Sequence, residues 1–111
     1  MPIQGAGEQI FAAMHLLPGV EAGPHRFGGT EYRLGRREIG HAHGDHLVDI
    51  PFTKAIRDEL VLAGRAERHH ILLDSGWVSI HLREEADVDR AIELLHRSYA
   101  IACGIGTTSA L

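Results

Sequence analysis

The stretch from Asp87 to Cys103 constrains the fold most. Val88, Ala91, Ile92, Leu95, Tyr99 and Ala102 recur at helical spacing and lay one apolar stripe along a helix, with Asp87 as the expected cap. A stripe of that length needs a partner surface. Two shorter amphipathic segments ask for the same cover. Residues 8 to 17 carry Ile10, Phe11, Met14 and Leu17 and stop at Pro18-Gly19. TKAIRDELVLAG begins at Thr53, a good N-cap, and exits at Gly64.

Between the helices the pattern changes to alternation. TEYRL (30–34) and REIGHAH (37–43) flank Gly35-Arg36, a two-residue hairpin turn with glycine first. LVDI (47–50) follows Gly44-Asp45, and GWVSIHLR (76–83) is a further strand. RAERHH reads as a connecting stretch. Helix stripes and alternating strands together predict an α+β fold of two layers, with the helices on one face of a small antiparallel sheet. With 111 residues and no internal repeat or linker, one domain over 1–111 is expected, with 103–111 a frayed tail.

Composition narrows the function. A net charge of -4 with histidines neutral gives no basic surface for nucleic acid. No apolar run is long enough to cross a membrane. The N-terminal segment has no basic n-region, and Glu8, Gln9 and His15 break its apolar run, so no secretory signal is expected. The single cysteine, Cys103, forms no intramolecular disulfide and is expected as a small core residue in a cytoplasmic protein. Arg57 is expected as a solvated charge in mid-helix. There is no GxSxG, P-loop, GxGxxG or CxxC, which lowers the hydrolase, NTPase, dinucleotide and zinc-ribbon readings. An exposed sheet edge leaves room for a homodimer.

The chemistry sits in REIGHAHGDH, residues 37 to 46, part of a chain with nine histidines. Strict alternation puts Arg37, Ile39, His41 and His43 on one side and Glu38, Gly40 and Ala42 on the other. Val78, Ile80 and Leu82 form the apolar side of the later strand. Trp77, Ser79 and His81 then share the helix-free face with His41 and His43, a floor for a small-molecule pocket. Gly40 and Ala42 would let a helix approach closely. Three readings of the cluster stay open. It could bind a metal through His41 and His43, with His69 or one of Asp45, His46 and His70 as third ligand, although the glutamate that usually follows in metal-binding β-barrels is missing. It could transfer protons, with Arg37 holding an anion beside a histidine base. Or these are solvated strand histidines.

Arg37, Glu38, Ile39, His41, His43 and His46 form a pattern R-E-I-x-H-x-H-x-x-H, followed by Gly64, Arg68-His69, Trp77 opening a strand, and Ser98-Tyr99 in the last helix. In order and approximate spacing this resembles the fungal luciferases and related bacterial proteins over residues 25 to 102. The resemblance implies oxidation of a 3-hydroxy-2-pyrone such as 3-hydroxyhispidin by molecular oxygen, with loss of carbon dioxide, light emission and no organic cofactor. It implies His41 or His43 as base, Arg37 and Arg68 as anion stabilisers and His69 as a second acid or base. Trp77 becomes a stacking wall, with Ser79, His81, His46 and Glu38 around the phenolic or pyrone substrate. The chain is shorter than the fungal proteins and lacks their apolar N-terminal segment, so substrate-contacting loops and light emission are expected to differ.

Overall fold

The computed structural model describes residues 2–25 and 28–104. The elements in chain order are α1 (Ala6–His15), β1 (Val20–Pro24), β2 (Thr30–Leu34), β3 (Arg37–His43), β4 (Leu47–Pro51), α2 (Lys54–Leu62), β5 (Glu67–Arg68), β6 (Trp77–His81) and α3 (Glu85–Ala102). The strands form one antiparallel sheet in the order β1-β2-β3-β4-β6-β5. Ile10 and Met14 of α1, Leu60 of α2, and Val88, Ala91, Leu94 and Leu95 of α3 join one core with Tyr32, Ile39, Val48, Ile50, Val78 and Ile80 of the sheet. This is the α+β arrangement that the periodicities predict.

Local chemistry sets the element ends. The β2–β3 hairpin turns at Gly35, whose φ of +64° suits glycine alone. Thr53 caps α2, its hydroxyl accepting from the Ile56 amide at 3.2 Å. Asp45, on the β3–β4 turn, accepts from the amides of Gly5 and Gly7 at 3.1 and 2.8 Å, so a residue 38 positions away serves the start of α1. Two details at α3 differ from expectation. Its N-cap is Glu84, and Asp87 takes the third helical position, accepting from the amides of Arg83 and Glu84. Cys103 is exposed at the C-cap because the apolar stripe has already ended. Of the tail expected from 103, residues 105–111 lie outside the described residues.

Three further differences position the site. First, β3 is bulged. Tyr32 pairs with Gly40 and Arg33 with Glu38, which leaves Ile39 as an extra residue. The extra residue reverses the alternation upstream of it. Ile39 enters the core, where its carbonyl accepts from the buried Ser98 hydroxyl of α3 at 2.8 Å. Glu38 thus comes onto the face of His41 and His43, against the strict alternation expected. Ile39 does not share the histidine face. Second, RAERHH contains β5, a strand too short to show a period. Third, Arg57 is buried, donating to the Ser75 carbonyl at 2.6 Å and to Asp58, so it ties α2 to the loop before β6. Gly40 does lie under a helix: a Cβ there would meet Leu95 Cδ2 at 2.6 Å.

Candidate functional site

The helix-free face of β3, β4 and β6 carries a cavity of about 770 Å³. Its wall includes His25, Glu31, Arg33, Glu38, His41, His43, Asp49, His69, Ile71, Leu72 and Trp77. Its centre is Asp49, a carboxylate that is 1% exposed. Val48 and Ile50 face the core, so Asp49 must face the other way, opposite His41 in β3 and Ser79 in β6.

Three imidazoles converge on one oxygen of Asp49. Oδ2 lies 3.0 Å from His43 Nε2, 3.2 Å from His41 Nε2 and 3.5 Å from His69 Nε2. The other oxygen, Oδ1, accepts from the Ser79 hydroxyl at 2.6 Å. Desolvation alone would raise the Asp49 pKa, but the hydrogen bonds from His41 and Ser79 outweigh it and hold it at about 2.

The histidines are wired differently. His41 lies between two carboxylates, with Nδ1 2.6 Å from Glu38 and Nε2 facing Asp49. Burial opposes its positive charge, yet the bonds to Asp49 and Glu38 prevail and raise its pKa to about 9. His69 is the reverse case. Its Nδ1 accepts the amides of Ile71 and Leu72, both at 3.1 Å, so its own proton resides on Nε2, toward Asp49. Burial lowers its pKa. His25 stacks on His41 at a ring separation of 4.0 Å, and its pKa is lowered by burial and then by the His41 charge. Trp77 closes one side, 5.3 Å from the His41 ring and 6.2 Å from that of His69.

The structure thus brings together His41, His43, His69, Trp77 and Glu38. Ser79 shares their face but is fully buried beneath it, holding Asp49 instead of lining the cavity. Four other expected site residues lie elsewhere. Arg37 is exposed at the start of β3 and does not line the cavity. Arg68 precedes His69 on β5 and so faces the other way; it donates to the Leu73 carbonyl at 3.0 Å and lies 3.6 Å from Asp58. His81 sits at the far end of β6, 3.8 Å from Glu67 in a separate groove. His46 is on the β3–β4 turn beside Asp45. Asp45, a possible third ligand by sequence, is committed to α1. His69 is badly wired for one expected role, that of metal ligand, because its Nδ1 accepts two amides and its proton sits on Nε2.

Asp49, Glu31, Arg33 and His25 are missing from the sequence reading. Alternation in LVDI and TEYRL carries the signal for the first three. Val48 and Ile50 leave Asp49 on the opposite face, and Tyr32 separates Glu31 and Arg33 in the same way. His25 follows Pro24 with no periodic cue. Arg33 is the cation of the wall; it ion-pairs with Glu31 and donates to the Arg36 carbonyl at 2.9 Å. Two groups have metal-ligand spacing among the described residues: His41, His43 and Asp49, and His25, Glu38 and His41. No helix among them is long and apolar enough to cross a membrane.

Comparison with known proteins gives one match. A family model, the luciferase domain, covers residues 36–98, more than half of the chain. That span holds Glu38, His41, His43, Asp49, His69, Trp77 and Ser79, while His25, Glu31 and Arg33 precede it. No curated protein and no solved structure matches. On the family match, the chain belongs to the luciferase domain family.

Proposed function

We propose that the chain is a luciferase-like oxygenase that binds an enolisable 3-hydroxy-2-pyrone, of the 3-hydroxyhispidin type, in the histidine cavity. Both atoms of dioxygen are taken up, one ring carbon leaves as carbon dioxide, and no organic cofactor takes part. The observation that carries this reading is the cavity itself: about 770 Å³, walled by an indole and floored by imidazoles that converge on a buried carboxylate. A flat aromatic pyrone can lie against Trp77. His43 gives its Nε2–H to Asp49 and accepts the hydroxyl proton at Nδ1. His41 and Arg33 supply the positive charge beside the resulting enolate, the part first given to Arg37 and Arg68. The partner is a small molecule, since the acidic balance offers no surface to nucleic acid.

The test is oxygen uptake with 3-hydroxyhispidin, with carbon dioxide and light recorded together. Wild type should exceed the His41→Ala/His43→Ala double variant by about 100-fold or more, the scale of a lost acid-base group. Equal uptake removes this reading. Saturable binding without uptake would favour a ligand-binding module.

A further inference from the structure

We propose that His41 Nε2, His43 Nε2 and Asp49 Oδ2 bind one divalent first-row transition ion. The site deepens the oxygenase reading: the ion displaces the Nε2 protons of His41 and His43 and supplies the positive charge that His41 carries without it. The ligand geometry stands independently of that reading.

Asp49 Oδ2 is 3.0 Å from His43 Nε2 and 3.2 Å from His41 Nε2, and the three donor atoms lie within 4.8 Å of one another. Two ligands each about 2.1 Å from an ion are about 3.0 Å apart at a right angle and about 3.4 Å apart at the tetrahedral angle. Both nitrogen–oxygen spacings fall in that interval and the two nitrogens lie within 4.8 Å of each other, so an ion fits once the imidazoles close onto it. Two imidazoles and a carboxylate occupy one side of the ion. Its remaining positions face the cavity, an arrangement suited to divalent iron, cobalt or zinc with a small molecule bound opposite.

Hydrogen bonds around the site select the ligating atoms. Glu38 accepts from His41 Nδ1, so the ion takes the place of the proton that His41 Nε2 turns toward Asp49. Ser79 binds Asp49 Oδ1 and leaves Oδ2. His69 has the opposite wiring. Its Nδ1 accepts two backbone amides, so its Nε2 carries the proton and has no lone pair to give. His69 therefore stands beside the ion as a donor, and Asp49 takes the place in the ligand set that sequence spacing assigned to His69. The neighbouring group of His25, Glu38 and His41 would withdraw Glu38 from orienting His41, and it lacks a fully buried carboxylate.

Protein made without a polyhistidine tag, stripped with chelator and titrated with Co(II), tests the site. Wild type should retain one Co(II) per chain through gel filtration and show its ligand-field absorption. His43→Ala should lose the ion, Glu38→Gln should weaken binding about 10- to 100-fold, and His69→Gln should bind within about threefold of wild type. Circular dichroism checks that each variant is folded. If His43→Ala does not fold, the Glu38→Gln shift decides. No retained ion in wild type, equal retention in His43→Ala, or loss confined to His69→Gln overturns the assignment. The titration contains no organic substrate. Its failure therefore leaves oxygen uptake to be judged separately, and absent uptake leaves the ion site standing.

Discussion

Both faces of the sheet bury residues at their centre, by opposite chemistry. On the helix side, Ile39, Val48, Ile50, Val78 and Ile80 are at most 1% exposed and fill a core through shape alone. On the other side, Asp49 and Ser79 are also at most 1% exposed and His41 is 7% exposed, yet hydrogen bonds and ion pairs hold them, with ring contacts from His25 and Trp77 around His41. Among the described residues no buried side-chain nitrogen or oxygen lacks a partner. Burial alone therefore does not mark the core of this protein. Helices cover one face, and a polar network that orients its own atoms floors the cavity on the other. An apolar position tolerates a change of shape at a cost in volume. A position in the network depends on its partners, because each donor removed strands an acceptor.

Asp49→Ala and Leu95→Ala test that contrast with the largest effects. Removing Leu95 from under Gly40 should cost about 2–5 kcal/mol in urea unfolding, with oxygen uptake per folded molecule largely kept. Removing Asp49 should cost about 3–5 kcal/mol and abolish uptake. Equal activity in the two variants would mean that the polar face is merely a second core. Next comes Glu38→Gln, which weakens the acceptor that orients His41. Uptake should fall about 10- to 100-fold while the unfolding midpoint hardly moves. A midpoint shift as large as that of Leu95→Ala would assign Glu38 to structure.

Ser98→Ala joins the two faces, because the Ser98 hydroxyl from the core side pins the bulge that turns Glu38 toward His41. The stranded Ile39 carbonyl should cost about 1–3 kcal/mol, and uptake should fall alongside. Unchanged uptake would show that the bulge holds without the Ser98 hydrogen bond. Asp87 sharpens the comparison from outside the site. Burial opposes its ionisation, but the Arg83 amide, the Arg90 guanidinium and the Glu84 amide outweigh that and depress its carboxyl pKa. Its stabilisation is therefore complete above the unfolded carboxyl pKa of about 3.9 and is lost as pH falls through the lower folded value. Asp87→Asn should cost about 0.5–2 kcal/mol at neutral pH and flatten the acid limb of the stability profile. An unaltered limb would remove Asp87 from it. The smallest effects belong to Arg37→Ala and Arg68→Ala, each within about 0.5 kcal/mol of wild type and within about twofold in uptake. A tenfold loss in either would bring that arginine back to the substrate.

How much was legible follows from the range of each signal. Periodicity alone specified α3, the β2–β3 hairpin, β6 and the Thr53 cap, because each arises within a few residues of its own segment. It also placed His41, His43, Trp77 and Ser79 on one face, since alternation downstream of the bulge runs undisturbed. Asp49 was within its reach, through Val48 and Ile50. Glu38 was not. Its direction depends on one extra residue in β3, held by a hydroxyl 59 positions away. The same limit hid β5, which has two residues and exists only because β6 offers it an edge. With β5 in place, alternation sends Arg68 outward and His69 inward, a division the dipeptide alone does not contain. The sequence by itself determined which segments are helix or strand and which residue types meet the sheet, because those depend on local geometry and on burying apolar stripes. Tertiary structure decided which nitrogens carry protons and where three histidines converge, because hydrogen bonds and packing between distant segments set both.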